Sequence, residues 1–394
     1  MAAGRSAGLW LVLWLGAVLV LLGGLAIAWK TGQLDPRLWS VPAALILLVV
    51  GMWRGVRDAL WMAAGMAMMI LIFCWIAAAR LPAPGAAFIL LAAMVTAASG
   101  GACLSRGNGW RPGRPWSGVV ALVLAALLIW QGGPAPVKEG RERPDLAVIT
   151  ALPLFWEKDA RRDAPIIRLL QTRFALRPLD DPAMLAQSGA RHLLLAQPRA
   201  MPPDRLVAID AWVRVGGQAL ILADPMLRWT SDMPVGDRRA APAVSLLGPL
   251  LDHWGVRMEA GRAGEVRRFI AGGRLLTLSG FGNASASCRD SHEGIVRCPI
   301  GKGQVIVVAD ADLIDDRLWL SDPARPLDPN AWTADTPALV AEWLGASLPG
   351  DRRWMRGVDS LMRGLRWALL GGTIWVILGA TLDRRLSQRR IDAG

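Results

Sequence analysis

The sequence predicts a multi-pass α-helical membrane region joined to one soluble α/β domain with a mostly parallel sheet. Three observations carry this. Uncharged apolar runs crowd the first 131 residues and recur once near the C-terminus, most of them long enough to cross a hydrocarbon core. The segment between them has ordinary polarity, and short apolar runs alternate there with amphipathic stretches, as in βαβ units. Within it, Arg191–Pro225 reads RHLLLAQPRAMPPDRLVAIDAWVRVGGQALILADP, a strand, helix and strand of about thirty residues. The expected organisation is a membrane domain of about five spans at 1–131, a linker at 132–144, an α/β domain at 145–350, and a final span with a basic tail at 351–394.

Gly8–Trp29 is uncharged and long enough to span. Trp39–Trp53, Ala59–Ala79, Leu81–Ser105 and Trp116–Trp130 follow, and Trp367–Leu382 closes the series. A bundle of buried soluble helices would break such runs with charges. Trp29, Trp39, Trp53, Trp116 and Trp130 stand at run ends, where indole favours the membrane interface. Ala26-Ile27-Ala28 has the look of a signal-peptidase site, but the apolar run before it is long for a signal peptide.

Basic residues set the orientation. With the N-terminus inside, the inner segments hold Arg5, Arg54, Arg57, Arg106, Arg111, Arg114, Arg384, Arg385, Arg389 and Arg390, against Lys30, Arg37 and Arg80 outside. That asymmetry obeys the positive-inside rule. It places the soluble domain in the periplasm of a bacterial inner membrane, with both termini cytoplasmic. The formal charge of +12 is mostly topogenic, because residues 138–382 hold 31 basic and 28 acidic side chains. With no basic stripe interleaved with aromatics, nucleic acid is excluded as a partner.

Gly132–Pro144 is a linker by its Gly, Pro and charge content. Leu146–Thr150 reads as the first strand, Ala164–Phe174 as an amphipathic helix, Leu176–Leu179 as a short strand, and Pro182–Gln187 as a brief helix. His192–Ala196 is the apolar run of a strand buried on both faces. Pro202-Pro203 suits a helix entry, and Leu206, Ile209, Trp212 and Val213 form one apolar stripe. Gly216-Gly217 stops that helix, and Ala219–Ala223 is the next strand, closed by Asp224-Pro225. After a polar loop at Trp229–Pro242, Val244–Trp254 reads as a helix. The period then shifts towards two, with strands at Arg274–Ser279, Ile295–Pro299 and Gln304–Val308, before a last helix at Thr336–Leu344.

The pattern of Trp212-Val213, Gly216-Gly217 and Ala223-Asp224-Pro225, with Gly301-Lys302-Gly303-Gln304-Val305 and Val308-Ala309-Asp310 further on, resembles a known family. It is similar to the glutamine-amidotransferase-like domains of membrane-anchored bacterial proteins, including auxiliary proteins of gliding-motility-type ABC transporters. The resemblance covers roughly Asp145–Leu320. It implies a flavodoxin-like or glutamine-amidotransferase-like sheet and, as partners, other membrane proteins such as an ABC permease and ATPase. The related enzymes carry a cysteine on the turn after a central strand. Here that turn reads Gln197-Pro198-Arg199, and the next strand ends in Asp224-Pro225, so neither offers a nucleophile and no catalytic residue is assigned.

Other constellations are weighed the same way. Cys288 and Cys298, in CRDSHEGIVRC, suit a disulfide in an oxidising compartment. A metal site from Cys288, His292 and Cys298 lacks a fourth ligand. Gly301-Lys302-Gly303 lacks the spacing of a phosphate loop and reads as a hairpin turn. Trp229 and Trp254 could line a cleft, though packing is the commoner role, and His253 reads as structural. Asp224, Asp310 and Asp312 gather where strands end, with Asp315 and Asp316 behind them. Ligands of open α/β sheets bind at that edge, although Asp is also an ordinary turn residue there.

Two function classes follow. One is a non-enzymatic accessory or scaffold protein with no cofactor and no metal, presenting a degenerate α/β domain outside the membrane. The other is a periplasmic ligand-binding sensor or hydrolase that uses the acidic strand ends.

Overall fold

The computed structural model describes residues 2–105, 114–131, 136–157, 160–230, 233, 237, 239–261, 264–280, 282–286, 288, 290–292, 294–350 and 352–392. Arg106, Arg111 and the start of the linker lie outside them. The chain divides into two compact units, Met1–Pro134 with Arg352–Gly394, and Ala135–Asp351.

The first unit is helical: α1 (Ala2–Thr31), α2 (Ser40–Arg54), α3 (Val56–Ala78), α4 (Pro84–Ser105) and α5 (Arg114–Gln131), joined by α10 (Val358–Asp392) from the C-terminus. Five of its helical stretches are long and apolar enough to cross a membrane: Trp14–Thr31, Pro36–Arg54, Val56–Ala78, Pro84–Leu104 and Val358–Leu382. The apolar part of α5 among the described residues, Ser117–Ile129, is shorter. The weakest run in the sequence, Trp39–Trp53, gains length because a turn of 3-10 helix at Pro36–Trp39 leads into it. The last helix starts at Val358, well before the expected Trp367.

Small residues let these helices touch. A methyl group on Gly101 would lie 2.3 Å from the Leu48 carbonyl oxygen, and one on Gly51 would lie 2.5 Å from that of Ala98. Only glycine permits such an approach of α2 and α4, and helices in lipid associate through contacts of this kind. Trp39 is buried and donates its indole N–H to the Leu21 carbonyl at 2.9 Å. Trp375 of α10 stacks on Trp61 of α3 at 4.6 Å.

The second unit opens with β1 (Asp145–Thr150) and a small hairpin of β2 (Trp156–Glu157) and β3 (Ala160–Arg161). It continues through α6 (Pro165–Gln171), β4 (Ala175–Pro178), β5 (His192–Ala196), α7 (Pro203–Arg214), β6 (Gln218–Leu222) and α8 (Gly248–His253). Then come β7 (Val256–Glu259), β8 (Glu265–Ile270), β9 (Arg274–Ser279), β10 (Asn283–Ala286), β11 (Asp290–His292), β12 (Ile295–Ile300), β13 (Gly303–Val308) and α9 (Thr336–Trp343). The main sheet has seven strands in the order β11-β12-β13-β6-β5-β1-β4. The run β13-β6-β5-β1-β4 is parallel, while β11 and β12 extend the β13 edge antiparallel. Central strands buried on both faces explain the unbroken apolar runs Leu193–Ala196 and Ala219–Leu222.

The expected βαβ unit is present, and its motif residues meet the late hairpin. Trp212 and Val213 are buried on α7. Gly216 adopts φ +127°, and a methyl group on Gly217 would strike the Trp212 ring at 2.4 Å. One on Gly303 would lie 2.2 Å from the Val213 carbonyl oxygen and 2.3 Å from that of Gly217. Lys302 N–H donates to the Arg214 carbonyl at 2.9 Å, which seats the β12–β13 turn on the end of α7. Two glycine motifs distant in sequence are one packing contact.

One helix is shorter than its pattern implies. The expected Val244–Trp254 reduces to Gly248–His253. Val244 and Leu246 are exposed, while Leu247, Leu250 and Leu251 are buried. Pro249 sets the helix entry, and of the apolar residues before it Val244 and Leu246 do not face the core. The strands β7, β8, β10 and β11 were not individually legible, being short or, in β8, largely exposed and Arg-rich.

Candidate functional site

The strand ends place the acidic residues. β13 pairs parallel with β6, with Val308 opposite Leu222. The segments Ala223-Asp224 and Ala309-Asp310 therefore leave the sheet side by side and at the same level. Asp312 follows on a 3-10 turn at Asp312–Ile314. One carboxylate oxygen from each of Asp224, Asp310 and Asp312 lies within 4.8 Å of the others. Asp224 and Asp310 are fully buried, and Asp312 is 2% exposed.

Backbone N–H groups hold the three side chains. Asp224 accepts from Met226 at 2.7 Å and from Ala311 at 3.0 Å. Asp310 accepts from Ser279 at 2.8 Å and from Leu313 at 2.9 Å. Asp312 accepts from Arg228 at 2.8 Å through Oδ2, but its buried Oδ1 has no hydrogen-bond partner. Among the described residues, none of the three forms an ion pair with Lys or Arg. Burial therefore dominates their acidity. It raises Asp310 well above the usual carboxylate range, helped by the Asp224 charge, and raises Asp224 despite its N–H donors. It pushes Asp312 up to about 7.

Asp315 is separate from this group. It caps the next 3-10 turn by accepting from Arg317 N–H at 3.1 Å and pairs with the Arg317 guanidinium. Asp316 lies in that same turn.

The turn after β5 holds Gln197 and no nucleophile. Gln197 there has φ +42°, a left-handed conformation unusual for a side chain of this size, and is fully buried. Its Nε2 donates to the carbonyls of Asp224 at 3.1 Å and Pro242 at 2.8 Å, and its Oε1 accepts from Asp224 N–H at 2.8 Å. The sharp elbow is present, and an amide occupied with tying loops fills it. In the sequence Gln197 is legible only as a residue that is no nucleophile; a glutamine before a proline, closing the apolar run of a central strand, is the available signal.

Cys288 and Cys298 form a disulfide, with Cα atoms 5.5 Å apart. That removes both thiolates from the alternative metal reading; the His292 side chain lies outside the described residues. Trp254 is core, donating its indole N–H to Asp210 at 2.8 Å, so packing, the commoner role expected of it, is the one it has. His253 is exposed next to Arg214 and Asp210.

Residues 143–268 match the family described as an ABC-type uncharacterized transport system. The match begins just before β1 and ends within β8, so it lies in the α/β unit. No curated protein matches the sequence at a significant level. Among solved structures, the chain is similar to an exo-β-1,4-mannosidase from Opitutaceae bacterium strain TAV5, at 14% identity and TM-score 0.32, covering 59% of this chain and 40% of that one. A β-galactosidase from Rahnella sp. R3 matches at 13% identity and TM-score 0.31, covering 69% of this chain and 44% of that one. The chain thus spans less than half the length of these glycosidases, and likeness at this level assigns neither fold nor activity.

Proposed function

We propose that this protein is an accessory subunit of an ABC-type transport system in a bacterial inner membrane, presenting a catalytically inert α/β domain to its partners in the periplasm. The observation that carries this is the match of residues 143–268 to an ABC-type transport family, which falls on the α/β unit and not on the apolar helices. The five apolar helices suit a membrane-embedded subunit; a periplasmic α/β domain requires the shorter α5 to cross as well, and the arginine asymmetry supports that. The parallel strands run in the order β4-β1-β5-β6-β13, which corresponds to the 2-1-3-4-5 winding of flavodoxin-like sheets. Gln197 at the elbow supports the inert reading, since a buried amide engaged by three hydrogen bonds is no nucleophile. This last point weighs against a glutamine-amidotransferase chemistry even where the winding resembles one.

The test is affinity purification of the full chain from membranes solubilised in mild detergent. A permease and an ATPase should co-purify in stoichiometric amounts. A single-component preparation that binds or turns over a small molecule would instead favour the sensor or hydrolase reading, which the acidic strand ends motivate.

A further inference from the structure

We infer that Asp224, Asp310 and Asp312 form a site for a hard divalent cation of the Ca2+ or Mg2+ class, which fastens the ends of β6 and β13 to the loop at Arg228. The inference does not depend on the transport reading.

The geometry comes first. The three oxygens lie within 4.8 Å of one another. Oxygens on opposite sides of Ca2+ lie about 4.6–5.2 Å apart, and on opposite sides of Mg2+ about 4.0–4.2 Å apart, from their usual metal–oxygen distances. The 4.8 Å upper limit falls inside the span of Ca2+ and above that of Mg2+. The donors are all carboxylate oxygens, which suit Ca2+ or Mg2+ and not a thiophilic metal.

The second observation is the orphaned oxygen. Asp312 Oδ1 is buried without a partner, on a side chain that is 2% exposed. The backbone N–H groups of Arg228 and Trp229 offset the desolvation of this carboxylate only in part, since burial still prevails. The other oxygens accept from backbone N–H groups, and a carboxylate oxygen with one such bond keeps a lone pair for a metal. The backbone donors fix the three side chains in place, so an ion would meet a prearranged set. Like charges this close also repel, and a divalent ion neutralises two of the three. A shared proton is the competing way to relieve the same charge.

The experiment uses the full chain in detergent, dialysed at length against chelator and studied at pH 7.5, with melting followed by tryptophan fluorescence. Ca2+ or Mg2+ at about 100 times its dissociation constant should raise the melting temperature by about 5–10 °C. Asp312→Asn keeps an oxygen for Arg228 N–H and removes one charge. It should fold, melt no lower than chelated wild type, and lose at least tenfold in apparent Ca2+ affinity. Asp322→Asn, at an exposed Asp322–Arg325 pair, should respond as wild type does. Should Asp312→Asn fail to fold, Asp310→Asn with tryptophan-sensitised Tb3+ emission decides: emission displaced by Ca2+ in wild type and absent in the variant supports the site. A wild type insensitive to both ions, or variants that respond equally, overturns it. Stabilisation by acid alone, with no cation response, assigns the cluster to a shared proton and also overturns it.

Discussion

Gln197 holds the backbone of Asp224 on both sides: Asp224 N–H donates to Gln197 Oε1 at 2.8 Å, and Gln197 Nε2 donates back to the Asp224 carbonyl at 3.1 Å. This pairing joins the ends of β5 and β6 beyond the point where the sheet ladder stops. Gln197→Ala would strand a buried N–H and leave the carbonyls of Asp224 and Pro242 short of a donor. Unsatisfied buried groups cost about 1–3 kcal/mol each, so we expect a loss of about 2–4 kcal/mol in urea unfolding. A loss below about 0.5 kcal/mol would mean that the clamp contributes nothing.

Gly303 and Gly216 separate crowding from backbone strain. The methyl of Gly303→Ala meets two fixed carbonyl oxygens, those of Val213 and Gly217, and overpacking usually costs about 1–3 kcal/mol or more. Gly216→Ala meets nothing within 4 Å but must hold φ +127°, a strain of roughly 1–3 kcal/mol. The Gly303 variant should be the less stable of the two, with the hairpin edge of the sheet the first region to lose hydrogen-exchange protection. Equal stability would detach the β12–β13 turn from α7.

The cysteines give a direct chemical readout. Labelling of denatured, unreduced protein should modify only Cys74 and Cys103, because Cys288 and Cys298 are bonded. Closing a loop of this size restricts the unfolded chain by about 2–3 kcal/mol, so reduction should lower the melting temperature. Four reactive thiols in protein taken from its native membrane would contradict the bond.

The acidic cluster fixes a sign for the pH dependence of the chelated protein. The folded pKa of Asp312 lies at about 7, above the ordinary value of about 3.9 in an unfolded chain. Between those values the folded state keeps a proton that the unfolded chain has lost. Stability from this group is therefore full below about pH 4 and declines as pH rises to about 7. Asp224 and Asp310 are displaced in the same direction. The stability difference between wild type and Asp312→Asn, followed in urea from pH 4.5 to 7.5, should move against wild type. A flat difference would show that Asp312 is not held in a low-dielectric site.

Orientation is tested with reporter fusions after Trp130 and after Arg390. The arginine partition places the first outside and the second in the cytoplasm. Activity of both reporters on the same side would reject the scheme.

What the sequence determined by itself is the part written in local periodicity. Apolar runs bounded by arginine and tryptophan gave the membrane-length helices. The stripe of Ile209, Trp212 and Val213 between two apolar runs gave the central βαβ unit, since burial on one helix face and on both sheet faces leaves period and composition as signatures. Tertiary structure alone decided the rest. Asp224 and Asp310 meet because β13 pairs in parallel with β6 across a long insertion of short strands, and no local pattern encodes which strand a distant segment will join. Gly217 and Gly303 were legible as turn glycines, but not as each other's neighbours. Gln197 was legible as a missing nucleophile, and only the fold, by burying its amide against the backbone of Asp224, makes it a clamp.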